Sequence, residues 1–157
     1  MARVPVRYVP RYLTRKDKKQ AKEELKKSRN AYKKNKYYTR KKVKSFKSIP
    51  SKHIRTMKKM YGTTKINKEL AHRTGCSIKT LNSIVRKGMG AYFSSGSRPN
   101  QTAHSWGIAR LASSVTGGKS SGVDYKLLKE GCTRKSKALK LAKTVKKGMR
   151  RVPKIKL

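Results

Sequence analysis

Apolar residues recur at helical spacing along most of this chain, and runs that alternate with period two are few. Ile54, Met57 and Tyr61 fall on one face of a helix that starts at Ser51 and stops at Gly62. The same pattern predicts helices over 65–73 and 77–86, with Gly75 as the turn between them. A further helix is expected over 102–115, where His104, Ile108, Leu111 and Val115 share a face and Gly117-Gly118 ends it. His104 on that face reads as a core histidine, with Trp106 and Gly107 to the side. Two more helices are expected over 123–130 and 136–147, the last with Ala138, Leu141, Ala142 and Val145 in a narrow stripe among lysines. At the other end of the chain, Thr14 and Asp17 form a pair resembling a capping box, opening a helix that runs to Tyr32. Its apolar set, Ala21, Leu25 and Tyr32, is thin, so the helix reads as solvated or partner-bound. Residues 1–13 carry Pro5 and Pro10 and read as extended. The predicted fold class is mainly α: a small helical domain with a helix-turn-helix-like hairpin, flanked by extended basic arms.

The polar positions are overwhelmingly cationic. The 157 residues hold 45 Lys and Arg against 6 Asp and Glu, a net charge of +39. Residues 1–65 contain 24 basic and 3 acidic residues, 66–132 contain 10 and 3, and 133–157 contain 11 and none. This distribution predicts a basic N-terminal arm with one helix over 1–47, a helical core domain over 48–132, and a basic C-terminal helix and tail over 133–157. A chain so charged repels itself and needs an anionic neighbour. Hydrophobic residues make up 34% and concentrate between Ile49 and Leu128, a stretch small enough that stability is expected to depend on the partner. No apolar run is long enough to cross a bilayer, and the first residues lack the apolar stretch of a secretory signal. The basic arms could still meet an anionic membrane surface. Cys76 and Cys132 are too few for a disulfide framework and fit a reducing compartment, with a bridge between them as the lesser alternative.

Candidate chemistry is sparse. Residues 33–47 interleave cations with Tyr37, Tyr38 and Phe46. They read either as a nucleic-acid strap, with cations on phosphates and rings on bases, or as a linker whose aromatics dock on the protein's own core. The expected anion or partner contacts are Arg40, Lys41, Lys42, Lys44, Arg98, Lys119, Arg150 and Arg151. Residues 67–88 have the spacing of a helix-turn-helix: Leu70 and Ala71 pack on one helix, Gly75 turns, and Ile78, Leu81 and Ile84 bury the other. Ser77, Lys79, Thr80, Asn82 and Arg86 then form an exposed face suited to groove or phosphate contacts, although ordinary core packing has the same spacing. The 14 residues from Gly88 to Gln101 are expected to form an irregular loop. It could cradle a phosphate or lock onto a neighbouring protein, or it is a polar connection with Tyr92 and Phe93 tucked into the core. Thr116–Ser120 ends like a phosphate-binding loop, but the leading glycine is replaced by Ser113 and no strand precedes it, so it reads as a helix stop. His53, His72, His104, Cys76 and Cys132 show none of the usual metal-ligand spacings. No catalytic constellation, metal or cofactor is expected.

Residues 77–132 resemble a domain of uncharacterised function found in large nucleocytoplasmic DNA viruses, the chlorella-virus (phycodnavirus) group above all, with related segments in some tailed phages. The resemblance rests on a short helix (Ile78–Arg86), a basic-glycine turn before an aromatic pair (Lys87–Phe93), an SGxRP-like loop (Ser95–Pro99), a Trp-containing helix (Ala103–Ser114) and a Gly-Lys segment (Gly117–Ser120). It spans about a third of the chain and leaves out both basic arms. It implies a virus type and no activity of its own; with no catalytic constellation in the sequence, the expectation is a non-enzymatic structural virion protein made in the host cytoplasm or nucleus. The expected role is a minor capsid protein on the inner side of the icosahedral shell, stapling major and minor capsid proteins through its arms. The alternative it leaves open is a protein that binds or condenses the packaged DNA.

Overall fold

The structure is a computed structural model, and it describes residues 2–149 and 151–157. The chain is mainly helical, with eight α-helices and one two-stranded sheet among the described residues. It divides into two units. One gathers residues 1–49, 89–106 and 151–157, and the other residues 50–88 and 107–150. Two helices, α4 (Ile78–Ser94) and α5 (Ala103–Val115), each give one end to each unit.

In the first unit the two ends of the chain pair. Strand β1 (Arg3–Pro5) lies antiparallel to β2 (Lys154–Lys156), with Val4 opposite Ile155. The Val6 amide donates to the Pro153 carbonyl at 3.1 Å, and the Leu157 amide to the Ala2 carbonyl at 3.1 Å. A 3-10 turn (Val6–Tyr8) then leads to Thr14, whose hydroxyl accepts from the Asp17 amide at 3.2 Å and caps α1 (Arg15–Lys33). Val4, Tyr8, Val9, Leu13, Ala21, Leu25 and Val43 form a buried cluster, with Phe46, Trp106, Ile155 and Leu157 packed against it. The N-terminal segment is therefore not an extended arm beside the core. It has a core of its own, because Ala21 and Leu25 on α1 meet apolar residues of the preceding fifteen positions and of the distant C-terminus. Tyr32, the third residue of the expected apolar set, is exposed.

The second unit begins with α2 (Lys52–Tyr61), capped by Ser51 and closed by Gly62 in the left-handed region (φ 74°). Next comes α3 (Lys68–Thr74), capped by Asn67 and closed by Gly75 at φ 73°, and after it α4. The ends of α4 and α5 in this unit are followed by α6 (Lys119–Val123), α7 (Tyr125–Gly131) and α8 (Lys137–Lys147). Met57, Tyr61, Leu70, Leu81, Ile84, Leu111, Val115, Leu128, Ala138 and Ala142 are buried in it. The Tyr61 hydroxyl donates to the Val115 carbonyl at 2.6 Å, and burial pushes its pKa up to about 12.

Three local expectations change. First, α4 does not stop before Gly88 but continues to Ser94, so the irregular loop shrinks to residues 95–102. Gly88 is needed for packing: a Cβ there would stand 2.7 Å from the Cα of Gly107. The local signal read as a helix breaker is a point where α4 and α5 approach closely. Second, His104 is exposed, whereas Leu111 and Val115 on the same helix are buried. Third, Cys76 and Cys132 form a disulfide. The Thr133 amide donates to the Gly75 carbonyl at 2.8 Å and the Ser77 amide to the Gly131 carbonyl at 2.9 Å, which sets the two cysteines opposite each other in an antiparallel bridge. Closing 56 residues of sequence separation constrains the unfolded chain, a contribution of about 2–4 kcal/mol.

Candidate functional site

The feature with most chemistry is the segment after α1. The chain turns at Asn35, a left-handed residue at φ 57°. Ala31 O accepts from the amides of both Lys34 (3.0 Å) and Lys36 (2.9 Å). Residues 36–47 then run back along α1 as an extended strap. Its backbone is fastened by side chains almost residue by residue. The Arg40 amide donates to the Tyr92 hydroxyl (3.0 Å), Lys41 to Glu24 Oε2 (3.1 Å), Val43 to Asn100 Oδ1 (2.8 Å), Ser45 to Asp17 Oδ2 (2.7 Å) and Lys47 to the Tyr12 hydroxyl (3.3 Å). Asn100 also donates from Nδ2 to the Val43 carbonyl (3.1 Å), closing a two-bond pair that mimics a strand partner. A segment that sequence composition would leave mobile is thus held by six hydrogen bonds to other elements, with Val43 buried beneath it.

Arg40 is the central fastener. Its guanidinium lies over the Tyr92 ring, 3.8 Å from the centroid. It donates from Nη1 to Ser28 Oγ (2.7 Å) and the Tyr92 carbonyl (2.6 Å), and from Nη2 to Ser97 Oγ (2.7 Å). Burial draws its pKa down from the usual guanidinium value, yet an arginine keeps its charge in proteins. The expectation that Arg40 meets an external anion is therefore corrected. Its donors are spent on acceptors inside the unit, because Ser28, Tyr92 and Ser97 converge on it from positions far apart in sequence. The cavity beside it, about 20 Å³, has room for a single water and none for a metabolite.

Two carboxylates serve the strap from below. Asp17 is held under the ordinary aspartate value, chiefly by the Ser45 hydroxyl and amide and less by Thr14. Glu24 accepts from Lys41 and from the Tyr38 hydroxyl, which raises the Tyr38 pKa. Above them Lys41, Lys42, Lys44 and Lys47 are exposed. Arg98 is exposed in the loop 95–102 and borders the same cavity as Lys41, so the structure brings these two together, while Lys42 and Lys44 follow on the strap and do not line that cavity. Arg151 is exposed next to β2. Lys119 is exposed at the first position of α6, in the other unit, and Arg150 lies outside the described residues. The sequence reading missed Asp17, Glu24, Tyr92 and Asn100 as fasteners. The signal available for the carboxylates was their rarity: in a chain with 6 acidic residues, each is a candidate for an internal partner.

In the second unit the helical hairpin is present, with α3 and α4 joined at Gly75–Ser77. Lys79, Asn82 and Arg86 are exposed. Ser77 caps α4 by accepting from the Thr80 amide at 3.2 Å, and its own hydroxyl donates to Thr80 Oγ1 at 2.9 Å. Thr80 itself is corrected from the exposed face to the interior, where it packs against Gly131. Ile78, expected in the core, is instead exposed. The Gly-Lys segment is closed on itself: Ser113 Oγ accepts from the Ser120 amide at 3.2 Å and the Ser113 carbonyl from the Gly118 amide at 2.8 Å. That geometry is a helix stop.

The strongest ion pair also lies in this unit. Asp124, 1% exposed, accepts from Arg110 Nε (3.0 Å) and Nη2 (2.7 Å) and from Ser114 Oγ (2.7 Å), with Lys87 Nζ at 3.6 Å. Asp17, Glu24 and Asp124 are thus all buried in structural roles. Only Glu23, Glu69 and Glu130 remain on the surface, and Glu69 pairs with Arg73 at 3.0 Å. Among the described residues, no three of His, Cys, Asp and Glu converge to hold a metal ion, and no helix is long and apolar enough to cross a membrane.

No curated protein and no solved structure matches the chain. A family of unknown function (DUF5824) matches residues 5–126, a span that contains the strap with its fasteners and the Arg110–Asp124 pair, and that stops before Cys132 and α8. The matched span is well over half of the 157 residues, and the chain belongs to the DUF5824 family of unknown function.

Proposed function

We propose that this protein is a non-enzymatic structural protein that binds nucleic acid through the phosphate backbone. The observation that carries this reading is the burial of half of its acidic residues. With Asp17, Glu24 and Asp124 inside, three surface carboxylates stand against a surface that carries most of the basic residues, Arg40 and Arg110 being turned to internal partners. Such a surface repels itself and attracts a dense polyanion, and duplex DNA is the densest ordinary one, with one charge per about 1.7 Å. The fastened strap supports the same reading, since its lysines are presented by an ordered backbone and lose less entropy on contact. In the setting implied by the sequence resemblance, the DNA is the packaged genome of a large double-stranded DNA virus.

A second reading is the minor capsid protein beneath the shell, contacting major and minor capsid neighbours or an anionic membrane surface. It is favoured by exposed apolar residues, Ile49 at 79%, Val123 at 52% and Met149 at 41%, which suit protein contacts better than phosphates. The exposed cations would then face acidic neighbours.

Fluorescence anisotropy with a short duplex, titrated at several salt concentrations, tests the first reading. Affinity is expected to fall by about 10³-fold or more between ~50 and ~200 mM salt, as counterion release requires for six or more phosphate contacts. Duplexes of unrelated sequence are expected to bind alike. A flat salt response, or retention of the protein in particles emptied of their genome, overturns the first reading in favour of the second.

A further inference from the structure

The end of the strap carries an aromatic row that backbone neutralisation does not use. Tyr37 is 72% exposed, the most open aromatic ring among the described residues, and Tyr32 is 40% exposed. Neither stands alone. The Tyr37 ring centroid is 6.3 Å from that of Tyr32 and 5.1 Å from that of Phe93, and Phe93 meets Tyr92 edge-on at 5.1 Å. Tyr92 is fully buried and is covered by the Arg40 guanidinium. The row therefore runs from the interior of the first unit to solvent, and its outer ring is braced from behind.

The backbone on both sides of Tyr37 is also fixed. The Asn35 amide donates to the Tyr32 carbonyl at 3.0 Å, closing the turn before it, and Arg40 is fastened at its amide and its guanidinium after it. Lys33, Lys34 and Lys36 are exposed on the turn, and Lys41 and Lys42 on the strap. A rigid open ring set among cations is the arrangement with which proteins hold single-stranded nucleic acid: the base stacks on the ring and the cations take the flanking phosphates. A ring placed only to fill the protein's own core would be covered, as Tyr92 is. In a duplex the base faces are already stacked and out of reach, so the ring discriminates between strand forms.

We infer that Tyr37 is a stacking platform for an unpaired nucleobase, which gives the strap a contact with single-stranded nucleic acid that a duplex does not offer. This deepens the backbone-binding reading and rests on it.

Four probes of similar charge separate the possibilities: an oligothymidylate, the same strand with abasic residues in place of the bases, a duplex of half the length and so of equal phosphate count, and polyglutamate. The wild-type chain is expected to bind oligothymidylate more tightly than the abasic strand. Tyr37→Ala is expected to weaken oligothymidylate binding by about 5- to 100-fold, the range of one stacked base, and to leave the abasic strand and the duplex within a factor of about two. Tyr37→Phe keeps the ring and is expected to keep the affinity. Thermal melting of both variants should match the wild type, because the side chain is mostly in solvent. Equal affinity for the oligothymidylate and abasic strands overturns the inference. So does a Tyr37→Ala loss that is the same on all probes, polyglutamate included. In either case salt-sensitive duplex binding still upholds the broader reading, whereas failure of every nucleic-acid probe overturns both.

Discussion

Asp124 shows how a single residue is committed in this chain. It is the most buried carboxylate, and its oxygens are taken by both arms of the Arg110 guanidinium and by Ser114. Removing one partner of such a pair leaves the other buried without compensation. Asp124→Asn is therefore expected to destabilise the protein by about 3 kcal/mol or more, read as a lower urea midpoint at an unchanged slope. Lys87 also approaches Asp124, at 3.6 Å, but its side chain is 52% exposed. Lys87→Ala should move the midpoint little, by less than about 1 kcal/mol, as for other solvated ion pairs. Arg40 teaches the complementary lesson. Its position in a run of cations marks it as a surface contact, and three acceptors from elsewhere in the sequence make it an internal fastener.

Among the elements, the strap depends most on the charge state of one side chain. Asp17 accepts from the Ser45 amide and hydroxyl, and this lowers its pKa in the folded state. A depressed carboxylate pKa contributes stability that is fully present above the unfolded value and is lost as pH falls through the folded one. The strap is thus expected to stay fastened at neutral and mildly acidic pH and to loosen below the ordinary aspartate range. The Ser45 amide resonance should report this by shifting with the Asp17 titration, at a pH below that of a free aspartate. Asp17→Asn should abolish the shift. Elements set by local signals were legible in sequence: the helix starts at Thr14 and Ser51 and the Gly62 and Gly75 stops all lie where spacing places them, and the helix expected over 136–147 is α8. The far end of α4 was not, because Gly88 looks like a terminator until Gly107 is beside it. The disulfide was not legible for a similar reason: two cysteines 56 positions apart carry no trace of the bridge that aligns them.

At the scale of the molecule, the charge is not confined to arms. The first unit holds 23 basic and 3 acidic residues and the second 22 and 3, so each folded unit is itself strongly basic. Self-repulsion of this kind opposes the compact state and is relieved by screening, since the Debye length falls from about 30 Å at 0.01 M to about 3 Å at 1 M salt. The melting temperature followed by circular dichroism is therefore expected to rise with sodium chloride by a few degrees, roughly the 2–4 °C that about 1 kcal/mol represents in a chain of this size. A melting temperature that falls or stays level with salt would show that repulsion is not a term in its stability.

Sequence alone determined the helical class, most helix starts and the cationic surface, because helix period, caps and net charge act over a few residues or over composition as a whole. It also marked residues 33–47 as the segment where cations and rings interleave. Only the tertiary structure decided which of those groups face outward. Arg40, Asp17 and Glu24 turned inward because Tyr92 and Ser97, Ser45, and Lys41, respectively, stand where each can complete its hydrogen bonds. Tyr37 stayed in solvent on a braced turn. Those outcomes rest on contacts 12 to 57 residues apart in the chain, and no periodicity or spacing encodes them.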